Sequence, residues 1–218
     1  MTDAPKTRKK PQDDAALKDA VLLAALPDAA FDGFTQKVLE KAGKAAGATR
    51  PALARLFPDG PLSLLEHFSL WADGEMEKRL ADMDLPAMKV RARIAAAVLA
   101  RLSVLKPHKE AARRAAALLS LPPHAALGAK LMYRTVDAMW RAAGDTATDF
   151  NFYTKRGILA GVYGSTLVRW FNNDDDSATE AFLAARIENV MQFEKFKAGA
   201  KKALASFPAF ANWAKPQA

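Results

Sequence analysis

Residues 35–60 read TQKVLEKAGKAAGATRPALARLFPDG, two short helical patterns with a glycine turn between them. The Thr35 side chain suits an N-cap, and Val38, Leu39 and Ala42 fall on one face of the helix that follows. Gly47-Ala48-Thr49 makes the turn. Pro51 then sits in the first turn of a brief helix, where its fixed φ fits and its missing N–H costs nothing. That helix carries Leu53, Leu56 and Phe57, and Pro58-Asp59-Gly60 ends it. The outline is a helix-turn-helix.

Working outward, a preceding helix is expected from about Asp14 to Leu26, with Pro27 and Phe31-Asp32-Gly33 as the turn after it. Downstream the chain reads as a larger helical body. Helices are expected over 61–83, 86–105 and 107–121, the last broken by Pro122-Pro123. Two more follow over 125–143, with Gly144 as C-cap, and over 150–171, with Asp174-Asp175-Asp176 after it. Ser177 or Thr179 suits the cap of a ninth helix that runs past Phe193. No strand-like alternation occurs. The expected fold class is all-α: a three-helix head at 14–60 with a degenerate helix-turn-helix, a body at 61–194 and a C-terminal amphipathic helix at 195–218. By fold-level analogy this is the architecture of TetR regulators.

Composition supports that reading. Half of the 218 residues are hydrophobic, enough for a sizeable core, and there is no cysteine. Disulfides, thiolate metal sites and cysteine nucleophiles are thereby excluded. The formal net charge of +8 suits nucleic acid or an anionic membrane surface without choosing between them. No stretch approaches the roughly 18 apolar residues of a membrane span. Residues 1–13 carry Lys6, Arg8, Lys9 and Lys10 beside Asp3 and Asp13, and read as a disordered basic arm without the pattern of a transit peptide. That favours a bacterial cytoplasm, with the mitochondrial matrix as the eukaryotic equivalent.

DNA readout needs long polar side chains on the recognition helix. Between Thr49 and Phe57 only Arg50 and Arg55 qualify, and residues 28–59 have only one more cation than acid. Specific DNA binding is therefore not expected, and a ligand-responsive TetR-type repressor is the rival reading. Enzyme chemistry is missing as well. His67, His108 and His124 lack metal-ligand spacing, and there is no Glu-x-x-His pair, P-loop, dinucleotide fingerprint or nucleophile elbow. No catalytic residue, metal site or cofactor is expected.

The most distinctive stretch is Val136-Asp137-Ala138-Met139-Trp140-Arg141-Ala142-Ala143-Gly144-Asp145, continued by Thr148-Asp149-Phe150-Asn151-Phe152-Tyr153-Thr154-Lys155-Arg156. It resembles the signature of the ubiquinone-biosynthesis accessory lipid-binding family: an Asp-x-Met-Trp helix, an Ala-Gly-Asp turn, then Thr-Asp-Phe-Asn-x-Tyr-Thr-basic-Arg. Leu159-Ala160 and Tyr163 continue the pattern, Leu119 to His124 resembles the family's Leu-Pro connection, and the likeness runs from about Ala16 to Lys197. The resemblance implies a TetR-like homodimer without DNA binding and a hydrophobic pocket for an isoprenoid lipid or quinone intermediate. It also implies a membrane-binding C-terminal helix and partnership with the demethoxyubiquinone hydroxylase.

The residues give these implications candidates. Met132, Val136, Met139 and Ala143 recur on one helical face as a core or pocket stripe. Phe152, Leu159, Val162 and Tyr163 extend the lipid-binding set on the next helix, which is apolar on nearly all sides and so needs cover all round. Gly157, Gly161 and Gly164 open one of its faces to close packing, a dimer seam or an isoprenoid chain. Trp140 lies at the boundary of the buried stripe, and with Tyr133, Asp137 and Arg141 forms the expected partner-binding patch; a core-edge tryptophan is the plainer alternative. Asp145, Thr148 and Asp149 suit N-capping. Toward the C-terminus, Phe196, Leu204 and Phe207 with Lys197 and Lys201 form the candidate membrane-binding face.

Overall fold

The computed structural model describes residues 11–146 and 150–206, and side chains within 14–146 and 152–193. Every extended element among them is a helix: α1 (Pro11–Asp32), α2 (Gln36–Ala45), α3 (Arg50–Leu56), α4 (Pro61–Ala81), α5 (Val90–Leu105), α6 (Lys109–Leu119), α7 (Ala125–Ala142), α8 (Phe150–Phe171) and α9 (Asp176–Ser206). Three 3₁₀ turns, Leu85–Ala87, Lys106–His108 and Pro122–His124, sit at proline-marked joints. The chain divides into two compact units, residues 1–156 and 157–218, with the division inside α8.

In the first unit α1 packs on α2, α4 and α6, while α4 packs on α5 and α7. The expected break at Pro27 does not occur: α1 runs through it to Asp32. Val21, Leu22, Ala25, Leu26 and Ala29 form one unbroken buried stripe, and burying each large side chain is worth about 1.5–3 kcal/mol. Pro27 and Leu23 lie on the exposed side, so the carbonyl that proline leaves without an amide faces water. The chain turns at Gly33, and Arg114 Nε donates to Ala30 O to satisfy the helix end.

The helix-turn-helix forms as the sequence dictates. Thr35 Oγ1 accepts from Val38 N and Thr49 Oγ1 from Ala52 N, both at 3.3 Å. A Cβ on Gly43 would meet the Leu53 side chain at 2.9 Å, so glycine sets how closely α2 and α3 approach. Phe34 stacks on Phe68 with ring centroids 6.0 Å apart, tying this end of the head to α4.

The helix expected to begin at Pro86 begins instead at Val90. Arg93 fixes the loop before it, donating to the carbonyls of Met88, Pro86 and Ala143 at 2.9–3.0 Å. In the interior, α4, α5 and α7 meet at a polar knot that the sequence reading did not foresee. Arg101 Nε donates to Asp73 Oδ1 at 2.7 Å, Thr135 Oγ1 donates to the same carboxylate at 3.0 Å, and Arg101 Nη2 reaches Ser69 Oγ at 3.2 Å. All but Ser69 are buried.

In the second unit, Leu159, Tyr163, Thr166 and Trp170 form the buried face of α8. The single chain leaves part of α8 uncovered, with Gly157, Gly161 and Val168 exposed. The cap of α9 is Asp175, not Ser177 or Thr179: its Oδ1 accepts from Ser177 N at 2.9 Å and Ala178 N at 3.2 Å. The Ser177 hydroxyl, which donates to the same oxygen at 2.7 Å, and these backbone bonds hold the Asp175 carboxyl below its usual range. Thr179 instead turns back to Asp175 O. The backbone of α9 continues through position 195 to Ser206, so it contains the start of the expected amphipathic segment.

Candidate functional site

The corner from α7 into α8 carries the distinctive motif. Helix α7 ends at Ala142, and Gly144, with φ of 85°, lets the chain turn where the Arg93 guanidinium leaves little room for a side chain. Asp145 follows, and α8 begins at Phe150. Thr148 and Asp149, read as caps, lie outside the described residues.

Arg156 is the centre of the corner, and its side chain is 2% exposed. Its Nε donates to Asp137 Oδ1 at 2.6 Å, and its Nη1 to Asp145 Oδ2 at 3.1 Å and Phe152 O at 3.2 Å. The guanidinium lies 3.4 Å from the Phe152 ring centroid. One buried cation thus ties α7, the turn and the first turns of α8 together. Its neighbour Lys155 donates to Asp145 Oδ1 at 2.7 Å and places its ammonium 5.4 Å from the Trp140 ring centroid. Trp140 Nε1 donates to Lys155 O at 3.1 Å. Two consecutive basic residues therefore grip both Trp140 and Asp137. Arg156 stands in the motif but not among the expected site residues; it is the residue that organises the corner.

Of the four partner-patch candidates, Asp137, Trp140 and Arg141 lie at this corner, and Tyr133 lies about two turns earlier on α7. Tyr133 and Arg141 are exposed, Asp137 and Trp140 half-buried, and Arg141 Nη2 donates to Asp137 Oδ2 at 2.7 Å. The lipid set divides. Val136 and Met139 are buried in the first unit's core, whereas Met132 is only half-buried. The buried stripe of α7 keeps Val136, Met139 and Ala143 from the expected one and adds Leu131 and Thr135 in place of Met132. Phe152 lies against Arg156. Leu159, Val162 and Tyr163 are buried on α8 in the second unit. The backbone of α9 includes Phe196, Lys197, Lys201 and Leu204, while Phe207 lies outside the described residues.

An open groove of about 630 Å³ occupies the head, bordered by Gln36, Glu40, Arg50, Leu53, Phe57 and Asp59 among others. Its mixed polar rim does not suit an isoprenoid chain, and none of the lipid candidates lines it. Among the described residues no group of three His, Asp or Glu side chains could hold a metal ion, and no helix is long and apolar enough to cross a membrane.

His67 packs as a hydrogen-bonded side chain, its Nε2 2.8 Å from Asp19 Oδ1 and its ring edge-on to Phe57. Burial lowers its pKa below 6.5, and the Asp19 hydrogen bond only partly offsets this. Burial beside Phe68 and Trp71 lowers His108 in the same direction. Both stay neutral in the fold at a pH where the unfolded chain binds protons. Stability should therefore be full above about pH 6.5 and decline as the pH falls below it. A urea-denaturation series across that range checks this, and His67→Gln with His108→Gln should flatten the decline.

The COQ9 family model matches residues 125–194, from α7 into α9. The bovine ubiquinone biosynthesis protein COQ9, mitochondrial, is 30% identical over 189 residues, covering 83% of this chain and 59% of that protein. The human protein of the same name is 29% identical over 198 residues, covering 83% and 59%. Over most of its own length the chain is thus similar to COQ9 proteins. It spans about three-fifths of the length of these curated relatives. Among solved structures, a TetR transcriptional regulator from Nitrosomonas europaea superposes with a TM-score of 0.63 at 17% identity, covering 79% of this chain and 97% of that one. The fold is thus TetR-like. The COQ9 match contains Tyr133, Asp137, Trp140 and Arg141, together with the Asp145, Lys155 and Arg156 that hold them.

Proposed function

We propose that this chain is a non-enzymatic accessory protein of ubiquinone biosynthesis. It binds isoprenoid quinone intermediates at a membrane surface and presents them to the demethoxyubiquinone hydroxylase. The observation that carries the reading is the α7–α8 corner: a tryptophan and a carboxylate clamped by Lys155 and Arg156, inside the segment that matches COQ9. A clamped aromatic beside exposed Tyr133 and Arg141 is a preorganised anchor for a protein partner. Leu159, Val162 and Tyr163 on α8 supply an apolar wall for a lipid. Extracting a greasy tail needs such walls, since each buried CH₂ is worth about 0.8 kcal/mol. The lysine-flanked Phe196 and Leu204 supply the membrane contact, at the cytoplasmic face in a bacterium or the matrix face in a mitochondrion, the organelle named for the relatives.

A homodimer belongs to the same reading. A Cβ at Gly157 or Gly161 would meet nothing within 4 Å, so no neighbour in the single chain demands glycine there; a second copy packed on that exposed face would. The repressor reading is favoured by the TetR-like fold alone. Of the two long polar side chains on α3, Arg55 is engaged by Asp14 and Arg50 lines a groove with Glu40 and Asp59. Deleting the gene should lower ubiquinone and accumulate the hydroxylase's substrate, with restoration by the wild-type chain but not by Trp140→Lys. Normal ubiquinone in the deletion strain, or a shift of promoter DNA that survives moderate salt, would overturn the proposal.

A further inference from the structure

The outward face of α7 has a charge pattern that bears on the partner's chemistry. At about 100° per residue, Lys130, Arg134 and Arg141 fall within an arc of about 40°, and Tyr133 and Trp140 form a second ridge beside it. Lys130 and Arg134 lie 2.8 and 3.9 Å from Glu66, and Arg141 lies 2.7 Å from Asp137. These ion pairs are layered. The cation side chains are 55%, 48% and 71% exposed, whereas those of Glu66 and Asp137 are 27% and 13% exposed. Asp137 is also neutralised from behind by buried Arg156. An approaching molecule therefore meets the positive ends first, and the carboxylates sit behind them.

We infer that this face docks an acidic helix of a partner protein laid along α7, with carboxylates meeting Lys130, Arg134 and Arg141 and an apolar side chain against Tyr133 and Trp140. The inference rests on the partner reading above and adds the chemistry that partner must have. Arginine forks match carboxylates in two-point bonds, and a fixed aromatic ridge beside them sets the register. An anionic bilayer is the weaker occupant. Trp140 is half-buried, bonded through its indole N–H and overlaid by the Lys155 ammonium, so it cannot enter acyl chains without breaking those contacts.

The test is association kinetics of the full-length chain with the hydroxylase of the same organism, from about 0.02 M to about 0.5 M salt. Wild type should associate progressively more slowly as salt rises. Lys130→Glu with Arg134→Glu should slow association by about tenfold or more at low salt and flatten the salt dependence. Lys130→Gln with Arg134→Gln should fall between, with circular dichroism confirming that each variant folds. Binding that Trp140→Ala abolishes but that charge reversal and salt leave unchanged overturns this inference alone. Failure of the wild type to bind overturns the partner reading and this inference with it. Loss of sedimentation with phosphatidylcholine–phosphatidylglycerol vesicles in the charge-reversed variant, with hydroxylase binding intact, would assign the face to a membrane and overturn it too.

Discussion

Asp73→Ala should lower the free energy of unfolding by about 3–5 kcal/mol, a large share of the 5–15 kcal/mol typical of a domain. The carboxylate is the acceptor for Arg101 Nε at 2.7 Å and for Thr135 Oγ1 at 3.0 Å, and both partners are buried. Its removal leaves a guanidinium inside the α4–α5–α7 interface without its carboxylate, and the cost of that charge outweighs the lost bond itself. A hydroxyl loses its acceptor at the same time. The double replacement Asp73→Leu with Arg101→Met should recover most of the loss, because an apolar pair of similar volume carries no desolvation cost. Urea denaturation of the three chains measures both effects. A loss below about 1 kcal/mol for Asp73→Ala would mean that water reaches the knot.

Arg156→Met should cost about 3 kcal/mol and loosen one corner before the rest of the chain. Asp137 would keep Arg141 and Asp145 would keep Lys155, both more exposed and more strongly screened than Arg156. The first turns of α8 would lose the Arg156 bonds to α7 and to the turn and keep those of Lys155, while α4 and α5 keep their packing. Hydrogen exchange should therefore accelerate at residues 152–156 and at the end of α7, with α4 and α5 still protected. Arg156→Lys should be intermediate, since a lysine keeps the charge but cannot reach both carboxylates with a planar fork. Uniform acceleration across α4, α5 and α7 would instead make Arg156 a general core residue.

Much of this architecture is legible in the sequence because its joints are marked by local chemistry. Thr35, Thr49 and Pro51 cap and open the head helices, Gly144 ends α7, and Pro122-Pro123 separates α6 from α7. Pro27 shows the limit of local rules. The proline penalises the helix, but a buried stripe from Val21 to Ala29 carries α1 through it. At the start of α7 the choice is ambiguous for a related reason: Leu131 and Met132 are both apolar, and the neighbouring helices decide which is buried. Asp175 was hidden in a run of three aspartates whose spacing does not say which one caps.

The site divides along the same line. The motif marked out Asp137 and Trp140, yet their grip by Lys155 and Arg156 depends on how the chain folds back after Gly144, which spacing alone does not give. For Asp73 and Arg101 a signal was present. Each is a lone charge in phase with the apolar face of its helix, Asp73 beside Phe68, Ala72 and Met76, and Arg101 beside Val98 and Leu105. Two such charges of opposite sign on neighbouring helices are the trace a buried pair leaves in a sequence.

The most direct test of the lipid-presenting role is native mass spectrometry of the purified full-length chain, with organic extraction of whatever travels with it. An isoprenoid quinone or its precursor bound at fixed stoichiometry is the predicted result, and replacing Val162 and Tyr163 with bulkier or charged side chains should reduce it. A bare protein mass, unchanged after incubation with polyprenyl phenols, would contradict the role.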